Sequence, residues 1–109
     1  MTNVKVFRKG NDIQGFLIKG HANTGTQGEY DMVCAAVSGI AYTALGALDE
    51  MCGIRTFHET DGRIEMMLPE FLEEALRYKA TIIMEAMEIG LKQIELQYPR
   101  YIRTVCKGV

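Results

Sequence analysis

Asp31-Met32-Val33-Cys34-Ala35-Ala36-Val37-Ser38-Gly39-Ile40-Ala41-Tyr42-Thr43-Ala44-Leu45-Gly46-Ala47-Leu48-Asp49 holds the longest stretch of this sequence without a formal charge, the 17 residues from Met32 to Leu48. Asp31 supplies a helix N-cap signal and Gly53 a stop. Residues 32–51 are apolar nearly all the way round, which predicts a central helix covered on more than one side. Ala35, Ala36, Gly39, Ala41, Ala44, Gly46 and Ala47 let neighbouring elements approach closely. The stretch is at the lower edge for a membrane span. Its flanks are aspartates, not the basic or aromatic anchors that membrane helices usually carry. A buried helix of a globular domain, with no membrane partner, is the expectation.

Working outward, Val4-Lys5-Val6-Phe7-Arg8 alternates in character and Ile13 to Ile18 is a second β-prone run. Gly10-Asn11-Asp12 lies between them as a turn, so the two read as a β-hairpin. Gly20 to Tyr30 is a glycine-bearing connection, long for a compact domain. Beyond Gly53, Ile54–Glu59 and Arg63–Leu68 flank Asp61-Gly62 as a second hairpin. Pro69 suits the first turn of a last helix, running from about Glu70 to Gln97 and stopping before Pro99. Leu72, Ala75, Leu76, Ile82, Ile83, Ala86 and Gly90 mark its expected core stripe. Phe71, Tyr78, Met84, Ile89 and Leu96 then form a second apolar face. That face predicts a homodimer; the alternative is that Tyr101 to Val105 folds back over it as a strand. The expected class is α+β: β-hairpin, central apolar helix, second β-hairpin and long C-terminal helix, an antiparallel sheet with helices packed against it.

The 109 residues suit one domain over 1–109. Hydrophobic residues at 48% exclude a disordered chain, and a formal charge of -2 offers no strong overall basic field for nucleic acid. The first twenty residues show no unbroken apolar stretch of the kind a secretory signal needs, so a cytoplasmic address is expected. Cys34, Cys52 and Cys106 are odd in number and lack C-x-x-C spacing, which argues against disulfides. Neither H-E-x-x-H nor a phosphate-binding glycine motif occurs, so no metal and no nucleotide cofactor is expected.

Two reactive side chains stand at the ends of the glycine-bearing connection, His21 after a strand and Cys34 in a helix start. With Asp31 as N-cap, Cys34 is the third helical residue, beside unsatisfied N–H groups and the positive end of the helix dipole. Both favour thiolate. An adjacent neutral imidazole would take the thiol proton and later protonate a leaving amine, which suits acyl transfer. The helix-start N–H groups would also suit a tetrahedral oxyanion. The other reading of Cys34 is a small buried hydrophobe on an Ala-rich helix, and of His21 a surface histidine at a strand end. Asp31 is either a cap or the residue that orients His21. Ser38, one turn beyond Cys34, is a packing residue or a hydrogen-bond partner beneath the site. Cys52 and Cys106 have no base nearby in sequence and read as inert.

The segments Gly20-His21-Ala22 and Asp31-Met32-Val33-Cys34-Ala35-Ala36-Val37-Ser38 together resemble the ribosomal-processing cysteine protease family (Prp), and the likeness extends over essentially the whole chain. The resemblance implies a cytoplasmic, homodimeric cysteine endopeptidase. Such enzymes remove the N-terminal extension of large-subunit ribosomal protein twenty-seven. By motif, Cys34 resembles the nucleophile and His21 the general base, while Asp31 and Ser38 match further motif positions. Ala22, Gly25 and Gly28 fall in the expected substrate loop, whose motion would admit an extended peptide. Met32 stands where the family has Ile or Leu, and Gly28 lies three residues before Asp31 where the family has two. The alternative in another class is a non-enzymatic ribosome-assembly factor that binds the leader peptide. A redox-sensing thiol lacks a resolving cysteine close in sequence to Cys34. Arg100, Arg103 and Lys107 make only a modest basic tail, and no direct nucleic-acid binding is expected.

Overall fold

The short turns form where Gly10-Asn11 and Asp61-Gly62 interrupt the alternating runs. Gly10 and Gly62 adopt φ of 63° and 74°, conformations that glycine takes without a Cβ penalty. The computed structural model describes residues 1–20 and 28–109. Its elements are β1 (Thr2–Lys9), β2 (Asp12–Lys19), α1 (Glu29–Cys52), β3 (Phe57–Thr60), β4 (Arg63–Met67), α2 (Glu74–Gln97) and β5 (Ile102–Gly108). The strands form one five-stranded sheet in the order β3-β4-β2-β1-β5. The α+β class, both hairpins and both helices are as the sequence predicts. The sheet is mixed, not wholly antiparallel, because β5 returns to pair parallel with β1.

Topology dictates which face the helices cover. β2 to β3 through α1, and β4 to β5 through α2, are two parallel crossovers. They start from oppositely directed strands and move toward opposite edges, so crossovers of the same hand place both helices on one face. Val4, Val6, Phe16, Ile18, Ile64, Met66 and Ile102 point into that face and are almost wholly buried. An irregularity in β2 lets Ile13 join them: Phe7 pairs with Gly15 but Arg8 with Ile13, leaving Gln14 as the extra residue. This bulge turns Ile13 inward in spite of its odd position. Among the described residues, no helix lies on the opposite face of the sheet.

Three expectations for the helices are corrected. First, α1 is a two-faced helix: Val33, Val37, Ala41, Leu45 and Leu48 are buried, whereas Ala35, Ala36, Gly39, Tyr42 and Gly46 are exposed. It is long and apolar enough to cross a membrane, as many core helices are, and here it packs on the sheet and supplies core. Second, α2 begins at Glu74, not near Glu70, and Pro69 is not in its first turn. Leu68 is still tied to the sheet through the Gln14 carbonyl, and the chain uses residues 69–73 to climb to the helix layer. Third, the buried stripe of α2 is Ala80, Met84, Met87, Glu88 and Leu91, while Ile82 and Ala86 are exposed. Gly90 fixes this rotation from one side, since a Cβ there would stand 3.2 Å from Ile40 of α1. Arg8 fixes it from the other by gripping Glu85 and Glu88.

Candidate active site

Cys34 lies on the buried face of α1 and is only 3% exposed. Its Sγ is 3.7 Å from the carbonyl oxygen of Gly20 and 3.7 Å from Thr2 Oγ1. Thr2 is completely buried at the start of β1, and its hydroxyl donates to the same Gly20 oxygen at 3.1 Å. Tyr30 Oη donates to it as well, at 3.0 Å. Burial pushes the Tyr30 phenol up, against a lowering hydrogen bond from Thr2, so it remains a donor through neutral pH. Three side chains from β1 and α1 therefore converge on one carbonyl at the end of β2.

Backbone geometry explains why Gly20 occupies that position. Its φ is 84°, and a Cβ there would meet the Met1 carbonyl oxygen at 2.8 Å. Gly28, at the other end of the connection, adopts φ 108° and ψ -147°, a region essentially restricted to glycine. Tyr101, whose backbone carbonyl accepts from the Thr2 N–H at 2.8 Å, packs its ring 5.8 Å from that of Tyr30. It also donates its hydroxyl to Glu29. The start of β1, the start of β5 and the start of α1 are thus stitched together around the sulfur.

The structure corrects the predicted cap. Gly28, not Asp31, is the N-cap of α1, and no side chain caps it. The glycine conformation turns the chain into the helix earlier than the aspartate signal implies, and the Met32 N–H already bonds the Gly28 carbonyl at 3.2 Å. Asp31 falls in the first turn, and its half-buried carboxylate has one buried oxygen, Oδ1, with no hydrogen-bond partner among the described residues. Cys34 moves from the expected third helical position to the sixth. The free N–H groups and the strongest part of the dipole are a turn away from the sulfur, since the dipole effect fades beyond the first turn. Local helix-end chemistry around Cys34 is weaker than the sequence suggests.

Ser38 lies one turn further along α1, half-buried. His21, Ala22 and Gly25 lie outside the described residues. Cys52 is buried beneath α2, with Leu76 O 3.9 Å from its Sγ, and Cys106 on β5 donates to Glu88 Oε2 at 3.1 Å. Among the described residues, no group of three His, Cys, Asp or Glu side chains could hold a metal. Sequence reasoning missed Thr2, Tyr30 and Tyr101. The first and last are brought to Cys34 only by the pairing of β1 with its neighbours, which leaves no local sequence signal.

Comparison with known proteins follows the same lines. The family model described as cysteine protease Prp matches residues 1–103. Over 94 residues the chain is 32% identical to the ribosomal processing cysteine protease Prp of Bacillus subtilis (strain 168), covering 84% of this chain and 83% of that protein. Several solved structures share its fold, two of them with TM-scores above 0.8. One is from Streptococcus mutans, with a TM-score of 0.83 at 21% identity, covering 100% of this chain and 96% of that one. The other is the Staphylococcus aureus ribosomal processing protease Prp in complex with a substrate peptide. Its TM-score is 0.81 at 23% identity, covering 98% of this chain and 100% of that one.

Proposed function

The chain belongs to the cysteine protease Prp family and is a cysteine protease, and from that premise we propose that Cys34 is its nucleophile and His21 its general base, acting on a ribosomal protein. The observation that carries this reading is the 3.7 Å approach of Cys34 Sγ to the carbonyl of Gly20, the residue bonded directly to His21. The resting contact is one in which the thiol proton points at that carbonyl. Transfer of this proton to the His21 imidazole frees the sulfur to attack the scissile carbonyl carbon. The imidazolium then protonates the departing amine, and water releases the acyl group from sulfur and restores the thiol. Asp31 supports the base: its Oδ1, which has no partner among the described residues, would accept a ring N–H and fix the imidazole tautomer. Ser38, one turn beyond Cys34, would support the floor of the site.

The substrate class follows from the relatives. The Bacillus subtilis protein is named for ribosomal processing, and the Staphylococcus aureus protease is solved with a substrate peptide. We infer that this chain removes the N-terminal extension of large-subunit ribosomal protein twenty-seven in the cytoplasm. The near-complete burial of Cys34 means that peptide binding has to uncover the sulfur before attack. Cys34→Ala is expected to abolish cleavage of a leader-bearing peptide, read by product mass, with the fold intact and at most a modest fall in thermal midpoint from the lost buried sulfur. Cleavage by that variant at the wild-type rate would overturn the assignment of the nucleophile. His21→Ala, with Cys34 intact, is expected to lower kcat by about 10²–10⁴, the usual contribution of a positioned base.

A further inference from the structure

Helices cover one face of the sheet, and the charge on the other face is unlike that of the molecule. Cross-strand register places Arg63, Lys19, Asn3 and Arg103 in one row across β4, β2, β1 and β5. The next row is Glu65, Leu17, Lys5 and Val105, and Lys107 follows beside Phe7. These rows hold five basic side chains and a single acidic one, in a chain whose 14 acidic residues outnumber its 12 basic ones. Arg63 is partly neutralised by Glu65 at 3.1 Å. No carboxylate among the described residues forms an ion pair with Lys5, Lys19, Arg103 or Lys107. Asn3, Lys5, Lys19, Arg103 and Val105 border a shallow groove of about 490 Å³ on this face.

We propose that this open sheet face binds the phosphate backbone of single-stranded RNA. A second copy of the chain is a poor occupant, because a two-fold contact would set the same cations against one another. A peptide held in this groove would need an apolar anchor pocket, whereas Val105 is the single exposed apolar side chain among the described residues that line it, and Leu17 beside it is only 7% exposed. A polyanion needs only distributed cations on a flat surface, which this face presents, with Asn3 between them as a neutral donor and acceptor. The rings of Phe7 and the exposed His58, which faces Glu65 from β3, add planar surface for bases at opposite corners. The overall charge of -2 conceals this patch; the fold sorts the charges that the sequence interleaves. The row with Lys19 and Asn3 lies at the sheet end that carries Thr2 and Gly20, so bound RNA would sit behind the proteolytic end of the domain.

The test is fluorescence anisotropy with a labelled twelve-nucleotide oligouridylate, on the full chain and on Lys5→Glu/Lys19→Glu/Arg103→Glu. The expected result is salt-sensitive binding with a log–log slope of about −2 to −3, from roughly three or four phosphate contacts. The triple variant is expected to bind at least tenfold more weakly, with leader-peptide cleavage and thermal midpoint unchanged. The milder Lys5→Gln/Lys19→Gln/Arg103→Gln should show an intermediate loss. Four outcomes overturn the proposal: no binding at 50 mM KCl, equal binding by the variants, equal competition by polyglutamate or phosphatidylglycerol vesicles, or a parallel loss of peptide cleavage. The last would assign the face to the peptide substrate.

Discussion

Glu88 shows how one residue ties α2 to the sheet. Its carboxylate is almost wholly buried and accepts from Arg8 at 2.6 Å and from the Cys106 thiol at 3.1 Å. Burial works to raise its pKa, but the hydrogen bonds from Cys106 and Arg8, with the charges of Arg8 and Lys92, together hold it below the usual value of 4.5. A carboxyl whose folded pKa is depressed contributes stability that is present above its unfolded value and lost as pH falls through the folded one. The domain is therefore expected to lose stability on acidification below about pH 4.5, and Glu88→Gln to flatten that acid limb in denaturant titrations. At neutral pH the same variant is expected to cost about 1–3 kcal/mol, because Arg8 loses a charged acceptor. An acid limb identical in both proteins would show that Glu88 is not the group responsible.

At the scale of elements, the rotation of α2 is the informative quantity. The sequence suggests a core stripe through Ile82, Ile83 and Ala86 and sets Met84 on the second apolar face, whereas the buried apolar positions are Ala80, Met84, Met87 and Leu91. Periodicity alone did not separate these stripes, because α2 has apolar residues on more than one side; contact with Ile40 and the grip of Arg8 select the orientation. Met84→Ala is expected to cost about 2–5 kcal/mol, as for other large-to-small changes in a core. Ile82→Ala, at a position 51% exposed, is expected to cost less than about 1 kcal/mol in the monomeric fold. Similar losses in urea titrations of the two variants would contradict the observed rotation. The start of α1 carries a matching lesson for the site. The aspartate signal placed a helix start within three residues of the true one, yet those residues move Cys34 from the first turn to the second.

At the scale of the whole molecule, the helices leave apolar surface open on their outer side. Phe71 is 90% and Leu96 83% exposed, and Tyr78, Ile82 and Ile89 are also outside. Between α1 and α2 an apolar groove of about 600 Å³ is lined by residues that include Ala36, Gly39, Ile40, Thr43 and Ile83. β5 joins the sheet beside β1 and leaves this face open, so the chain end does not supply the cover that was the alternative to a partner. We propose a homodimer through this face. Sedimentation equilibrium is expected to give a dimer for the wild type and a monomer for Ile82→Glu/Ile89→Glu; a monomeric wild type at micromolar concentration would refute it.

What the sequence determined is local. Two hairpins follow from turn glycines beside alternating strands, and two helices from long apolar runs, because turn conformations and hydrophobic periodicity depend on near neighbours. The likeness carried by Gly20-His21-Ala22 and the Asp31–Ser38 segment also belongs to the sequence, and it pointed to the family before any coordinate. Only the tertiary structure decided the parallel return of β5, the two-sided character of α1, the rotation of α2, and the enclosure of Cys34 by Thr2 and Tyr30. Each of these depends on which distant strands pair and which faces then meet. Thr2 and Cys34 touch across 32 positions of chain because β1 pairs with β2 and α1 packs on the sheet they share, and no local pattern encodes that meeting.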